Sequence, residues 1–182
     1  AARGLVEAIY WHPGLKFTVD RIYVLSPIRF TNIRRNEVKA TLLASAALSA
    51  AKGGTPPVLY TTQEIQQRAA MVLQDVHYVI DCHFDLTGKA APSDNPGKFQ
   101  DILRRRLAKG QCYHTPYFGC REFPASFREW QGGTIPAIEL TQDLGWMLYD
   151  MDYSNPKDIK AQFFRARLDR GVLNCRNAEV HT

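Results

Sequence analysis

An α+β fold is the class this 182-residue sequence predicts, on three observations. Residues 95–110 carry helical periodicity between a start and a stop signal. Residues 76–86 alternate strictly between apolar and polar side chains. Segments of the two kinds interleave along the chain, at a hydrophobic content of 45% that suits a folded globular protein.

Taken in order, residues 1–12 (AARGLVEAIYWH) place Ala1, Leu5, Ala8 and Ile9 on one helical face, and Pro13-Gly14 ends the helix. Tyr10 falls on another face beside Arg3 and Glu7, where its plain reading is an amphipathic residue at the edge of a packed helix. The sequence opens Ala-Ala-Arg with no Met, already inside this helix, so a segment removed from the front is expected. Residues 16–26 have strand composition, and their apolar phase switches from 17 and 19 to 22 and 24, which predicts a bulge near Asp20-Arg21.

The stretch IRFTNIRRNEVK then sets Arg29, Arg34, Arg35 and Lys39 against Glu37. It reads either as a solvated hairpin arm or as an arm that contacts phosphates. Residues 40–59, rich in Ala and Ser and closing on Gly-Gly-Thr-Pro-Pro, belong to a loop or insertion over 36–60.

In VHYVIDCHFDL (76–86), Val76, Tyr78, Ile80, Cys82, Phe84 and Leu86 form the apolar side of a half-buried strand. His77, Asp81, His83 and Asp85 line its other face, as ligands, as a base, or simply as a wet surface. Asn95 is a helix cap, Pro96 suits the first helical position, Phe99, Ile102, Leu103 and Leu107 recur at helical spacing, and Gly110 stops the helix. A strand-like run follows around 117–127. Residues 146–153 and 160–173, separated by a turn at Ser154-Asn155-Pro156, read as an antiparallel pair.

Helix, strand, strand, helix, strand and hairpin become a ferredoxin-like βαββαβ core once a strand is added before residue 1. The expected organisation is a ferredoxin-like domain over 1–128, its first strand missing from this chain, and a small antiparallel β appendage over 129–182.

Charge points to the partner. Residues 95–131 hold seven lysines and arginines against three acids, in a chain of net charge +5 and pI near 9.1. That concentration is the footprint of an anion site, and nucleic acid is the anion it suits. Four cysteines without C-x-x-C spacing do not make a disulfide scaffold and read as buried thiols. Zinc held by Cys112, His114 and Cys120 is the disfavoured alternative, so no metal is expected. The run Ala40–Ala51 is too short to span a bilayer, and with no signal peptide visible the chain reads as cytoplasmic.

Long strings now carry a resemblance. ARGLVEAIYWHP, FTVDRIYVLSPIRF, DVHYVIDCHFDL and NPGKFQDILRRRLAKGQCYHTPYFGCREFPA together resemble the CRISPR-associated repeat-processing endoribonuclease of type I-C systems, subtype d of the fifth Cas family. The resemblance covers most of residues 1–170. It implies a cofactor-free, metal-independent RNase that cleaves the repeat hairpin of precursor CRISPR RNA. It also implies that the enzyme stays with the guide RNA beside other type I-C Cas subunits, with double-stranded DNA as a further possible ligand and no membrane. The family's Tyr and Lys match Tyr10 and Lys98, while Phe99 stands where a His is usual.

Cleavage by a neighbouring 2′-hydroxyl needs proton transfer and charge stabilisation, both within reach of side chains. Lys98 sits at a helix N-terminus, where a cation opposes the macrodipole, so helix stability does not explain it. Tyr10, with an ordinary pKa of about 10, suits orienting or donating better than accepting a proton. With Phe99 on the apolar face, His83, His77 and His114 are the candidate bases. Arg34, Arg35, Arg104, Arg105, Lys109 and Arg121 are candidate phosphate contacts. Arg106 lies between Phe99 and Ile102 on the helical wheel, where its stem snorkels or its head holds a buried carboxylate. Tyr113, Tyr117 and Phe118 either stack on bases or pack inside. The rival to a nuclease is a non-catalytic subunit that caps guide RNA or grips duplex DNA with the same surface.

Overall fold

Helix α1 (Ala2–Ile9) ends where Tyr10 turns extended at φ −148° and ψ 123°. Strand β1 (Leu15–Val24) follows directly. In this computed structural model, which describes all residues Ala1–Thr182, the chain forms two compact units: Ala1–Pro27 with His77–Thr182, and Ile28–Val76.

The first unit is built on one antiparallel sheet. β1 pairs with β4 (Tyr78–Leu86), and the register slips between Val19 and Arg21, the bulge that the change of apolar phase foretells. β5 (Gln142–Asp152) pairs with β6 (Lys160–Asp169) as expected. The predicted strand 160–173 breaks at Arg170 and Gly171, both with positive φ (46° and 74°), a geometry suited to a tight hairpin turn. The turn leads into β7 (Val172–Asn174), which joins β6 to β1, and β8 (Val180–His181) lies beside β6. The strand order is β4-β1-β7-β6-β5. Strands from either side of residue 128 therefore share one sheet, and the compact units divide at other boundaries.

Helix α3 (Pro96–Lys109) has the predicted ends. The Asn95 side chain accepts from the Lys98 N–H at 2.9 Å, and Gly110 closes the helix in the left-handed region at φ 63°. One core gathers Val6, Tyr10, Leu15, Phe17 and Phe99 beneath α1 and α3. Ile80, Cys82 and Phe84 of β4 pack against it, so the alternating His83 and Asp85 face away. The other core holds Val24, Phe164, Ala166, Leu168, Leu173 and Cys175.

The strand-like run at 117–127 is not a strand. Pro116, Gly119 and Pro124 interrupt it, and the chain closes on itself through Phe118 N–H to Phe123 O (2.9 Å) and Ala125 N–H to Pro116 O (2.8 Å). Within the run the one β-type contact is an isolated antiparallel bridge, Tyr117↔Pro124, that folds it back on itself.

The unit Ile28–Val76 is a ribbon of β2 (Phe30–Val38) against β3 (Ile65–Leu73), in register from Phe30↔Leu73 to Val38↔Ile65. Within the expected loop, ASAALSAA forms helix α2 (Ala44–Ala51), consistent with the high helix propensity of alanine, and it buries no residue. β1 and β4 remain paired up to Val24↔Tyr78, and the Leu25 N–H donates to the His77 carbonyl at 2.9 Å. The segment thus leaves and rejoins the first unit at adjacent points. No helix is long and apolar enough to cross a membrane.

Candidate functional site

Phe99 is the hub of the site. It is 1% exposed, as its place on the apolar stripe of α3 requires. Around its ring stand Tyr10 (centroids 6.3 Å apart), His12 (5.0 Å) and the Lys98 ammonium (Nζ 5.9 Å from the centroid). The residue that ends α1 and the first turn of α3 thus bring a phenol and an ammonium to one locality.

Each of these groups has identifiable support. Lys98 Nζ donates to Asp94 Oδ1 at 2.7 Å, and the Ala91 N–H donates to Asp94 Oδ2 at 2.9 Å. The Asp94 side chain is buried, and the hydrogen bond from Lys98, followed by that from Ala91, holds its carboxyl below the usual carboxylate range. An anion one turn before Lys98 offsets the unfavourable placing of a cation at a helix start. The Lys98 N–H is taken by the Asn95 cap, which leaves the Gly97 N–H at the mouth of α3 as a free donor.

Arg106 holds no carboxylate. Its Nη1 donates to the Ile9 carbonyl at 2.7 Å and its Cζ lies 5.0 Å from the Tyr10 ring centre. A charge that looks misplaced on the wheel therefore closes the C-terminus of α1 and stacks on Tyr10. Burial pushes the Tyr10 phenol above its ordinary pKa of 10.0, opposed by the nearby Arg106 and Lys98 charges. Tyr10 accordingly remains protonated at neutral pH, a donor rather than a base.

His12 and Asp94 are the residues that sequence reasoning missed. His12 Nδ1 accepts the Gly14 N–H at 3.0 Å, so the neutral ring carries its proton on Nε2. Gly14 is buried, and a Cβ there would lie 2.9 Å from Ala90 Cα and 3.0 Å from His12 Nδ1. Thr87 reinforces this approach with N–H to Gly14 O (2.9 Å) and Oγ1 to Pro13 O (2.6 Å). The contact seats the loop that carries Asp94. An acid four residues ahead of Lys98 was a readable signal; an imidazole two residues after Tyr10 was a weaker one.

The expected bases lie elsewhere. His83 is on the far face of the sheet, with Nδ1 2.6 Å from Asp20 Oδ2 and Nε2 3.8 Å from Asp85, while Arg176 Nε lies 3.5 Å from Asp20 Oδ1. His77 is exposed at the start of β4. His114 lies in the loop after α3, its ring edge on Tyr113 at 4.3 Å. Of the candidate phosphate contacts, Arg104, Arg105 and Lys109 are exposed on α3 and Arg121 is exposed in the following loop, none of them in an ion pair. Arg34 and Arg35 belong to β2 in the other unit, where Arg35 Nη2 lies 3.1 Å from Glu37. Cys112, His114 and Cys120 do not converge, and no three His, Cys, Asp or Glu side chains group closely enough to hold a metal ion.

With this geometry in place, the comparisons with known proteins are specific. The family model described as "CRISPR-associated protein (Cas_Cas5)", of the Cas5d type, matches residues 1–176. A CRISPR pre-crRNA endoribonuclease Cas5d of Mannheimia succiniciproducens is 43% identical over 182 positions, taking in 96% of this chain and 80% of that protein. A protein of the same name from Thermus thermophilus is 38% identical over 153 positions, 84% of this chain and 60% of that protein. Among solved structures, a functionally uncharacterized protein from Streptococcus mutans aligns over 99% of this chain and 82% of its own, with TM-score 0.67 and 21% identity. A CRISPR-associated protein aligns over 99% and 81%, with TM-score 0.67 and 19% identity, a likeness of fold.

Proposed function

The chain belongs to the Cas5d family of CRISPR-associated proteins, and from that membership we propose that it is an endoribonuclease that cuts precursor CRISPR RNA at the repeat hairpin. The observation that carries this reading is the gathering of Lys98, Tyr10 and His12 around the Phe99 ring. Attack by the 2′-hydroxyl on the adjacent phosphorus builds negative charge on the phosphate oxygens. In this reading the Lys98 ammonium, presented by Asp94, and the Gly97 N–H stabilise that charge. The protonated Tyr10 phenol donates to the phosphate or to the leaving 5′-oxygen. His12, its Nδ1 engaged by Gly14, adds a second donor through Nε2–H rather than the base sought in His83, His77 or His114, so the proton of the attacking 2′-hydroxyl passes to solvent while the leaving 5′-oxygen takes one from Tyr10. The exposed Arg104, Arg105 and Lys109 grip the backbone of the RNA on the same helix.

The finer features rest on family membership together with the order of elements. α1, β1, β4 and α3 are read as part of a ferredoxin-like core, and the protein is read as remaining with the guide RNA in a type I-C complex. The second reading, a subunit that binds RNA without cutting it, is favoured by one observation: Phe99 is buried core where the resemblance expects a histidine.

A cleavage assay on matched repeat RNA in EDTA separates the two. Cleavage should proceed, and Lys98→Ala should lower its rate by roughly 10²–10⁴-fold with only a modest loss of binding. Intact RNA at enzyme excess would establish the second reading. Equal losses of binding and cleavage in Lys98→Ala would reduce Lys98 to a phosphate grip.

A further inference from the structure

We propose that Arg3 and Asp150 are positioning residues for RNA cleavage: the ion pair between them fixes the rotation of α1 about its own axis and so sets where the Tyr10 phenol stands. The proposal rests on the nuclease reading above and adds two residues outside the groups gathered on Phe99. The pair joins segments 147 positions apart in the chain. Arg3 Nη2 donates to Asp150 Oδ1 at 2.8 Å and Arg3 Nη1 donates to Asp150 Oδ2, two side-by-side charge-assisted bonds that fix direction as well as distance. The side chains are 34% and 28% exposed, so this is not the open surface pair that contributes little.

Both partners are held before they meet. The Met151 N–H donates to Asp150 Oδ1 at 2.8 Å. On the other side, Arg3 Nε lies 3.4 Å from Glu7 Oε1, one turn further along α1. The register of β5 shifts between Leu148 and Asp150, and Tyr149 between them sets its ring edge against Phe164 at 5.7 Å. A bulge re-aims the side chain beside it, and here that side chain is the carboxylate that meets α1. A strand anchored on the core of Phe164 and Leu168 thereby holds a helix that packs on the core of Phe99.

The rest of α1 leaves this degree of freedom weakly held. The helix has eight residues, buries only Val6 and Ile9, and carries neither a side-chain cap nor an acid in its first turn. At its far end the contacts are to carbonyls: Arg106 Nη1 to Ile9 O at 2.7 Å, and the Tyr113 and His114 N–H groups to Ala8 O at 2.9 and 3.0 Å. Helix carbonyls point nearly along the axis, so bonds to them resist sliding better than rolling. Arg3 reaches sideways from the axis, which gives its pair leverage against roll. A roll of about 10° carries a group about 6 Å from the axis through about 1 Å. Misplacement on that scale can slow an enzyme by about 10²-fold.

The test combines single-turnover cleavage of repeat RNA with fluorine NMR of a fluorotyrosine placed at position 10. All variants are compared at a temperature where circular dichroism shows them folded. Arg3→Met and Asp150→Asn should each slow cleavage by roughly 10–10²-fold while affinity for 2′-O-methylated repeat RNA stays unchanged. Arg3→Lys, which keeps the charge without the fork, should recover part of the rate, and the exchanged pair Arg3→Asp with Asp150→Arg should recover most of it. In a Tyr10→Phe background, Arg3→Met should slow cleavage no further, because the group it positions is already gone. The fluorine resonance should move in each single variant and return in the exchanged pair.

A wild-type rate in folded Arg3→Met overturns the proposal, as does full additivity with Tyr10→Phe. Rate and affinity falling in step would also overturn it, since that is the mark of a merely structural pair. If wild-type protein cleaves no repeat RNA, the nuclease reading falls by itself. The fluorine resonance then still decides whether the pair sets the phenol: a shift in Arg3→Met supports that hold, and an unmoved signal ends it.

Discussion

Replacing Arg106 with methionine keeps the aliphatic stem and deletes the head that ties α3 to the end of α1. Two interactions go: the 2.7 Å bond to the Ile9 carbonyl and the stacking on the Tyr10 ring at 5.0 Å. A charged donor on a partly buried carbonyl contributes about 1.5–3 kcal/mol, but Ile9 O keeps a 3.2 Å share of the Tyr113 N–H, so the lower half of that range applies. The cation–π interaction adds about 0.5–1 kcal/mol at this exposure. The expected loss is about 2–3 kcal/mol, which for a domain of this size lowers Tm by roughly 4–12 °C. Urea unfolding followed by far-UV circular dichroism at pH 7.5 measures it. A cycle of Arg106→Met with Tyr10→Leu should return a coupling of about 0.5–1 kcal/mol. Cleavage should fall further than stability explains, because the phenol loses the group stacked on it. Stability within about 0.5 kcal/mol of wild type, together with zero coupling, would show that the guanidinium is a passive surface charge and refute the reasoning.

Three further outcomes follow from other parts of the molecule. Combined Arg104→Ala, Arg105→Ala and Lys109→Ala should lower the slope of log K against log salt by about one for each phosphate no longer neutralised, and an unchanged slope would route the RNA elsewhere. Gly14→Ala sets a methyl 2.9 Å from Ala90 Cα and 3.0 Å from His12 Nδ1. It should cost about 1–3 kcal/mol by overpacking and disturb cleavage through the Asp94 loop, whereas a fully active, equally stable variant would mean that the loop yields freely. Burial pushes the Cys82 thiol up to about 11, and burial likewise raises Cys175. Raised acids stay protonated, so neither is a thiolate at pH 8, and alkylation read by mass spectrometry should modify the exposed Cys120 well before either.

What the sequence discloses depends on how local the cause is. The ends of α3 are legible because Asn95, Pro96 and Gly110 act through their own backbone. The alternation of β4 and the bulge at Asp20 are legible because one face of that sheet is apolar. β3 escapes notice because IQQRAAMVL does not alternate and lies in a ribbon with little burial to impose a pattern. The run at 117–127 has aromatic strand composition, yet its glycine and prolines turn it back on itself. The site shows the same division. Tyr10 and Lys98 emerge from long matching strings, whereas His12 enters through a Gly14–Ala90 approach between segments far apart in sequence. Arg106 is conspicuous in sequence, but its acceptor, a carbonyl at the end of another helix, has no sequence signature.

Because Val24 and Tyr78 are opposite neighbours at the ends of antiparallel strands, everything from Ile28 to Val76 hangs from the scaffold like the loop of a long hairpin. Two turn residues could bridge the same gap, and the free energy of closing a loop changes only slowly with its length. The length of this segment can therefore change at little cost in closing free energy to the half that carries Lys98. A graft at that junction is a natural place to give the molecule a new companion.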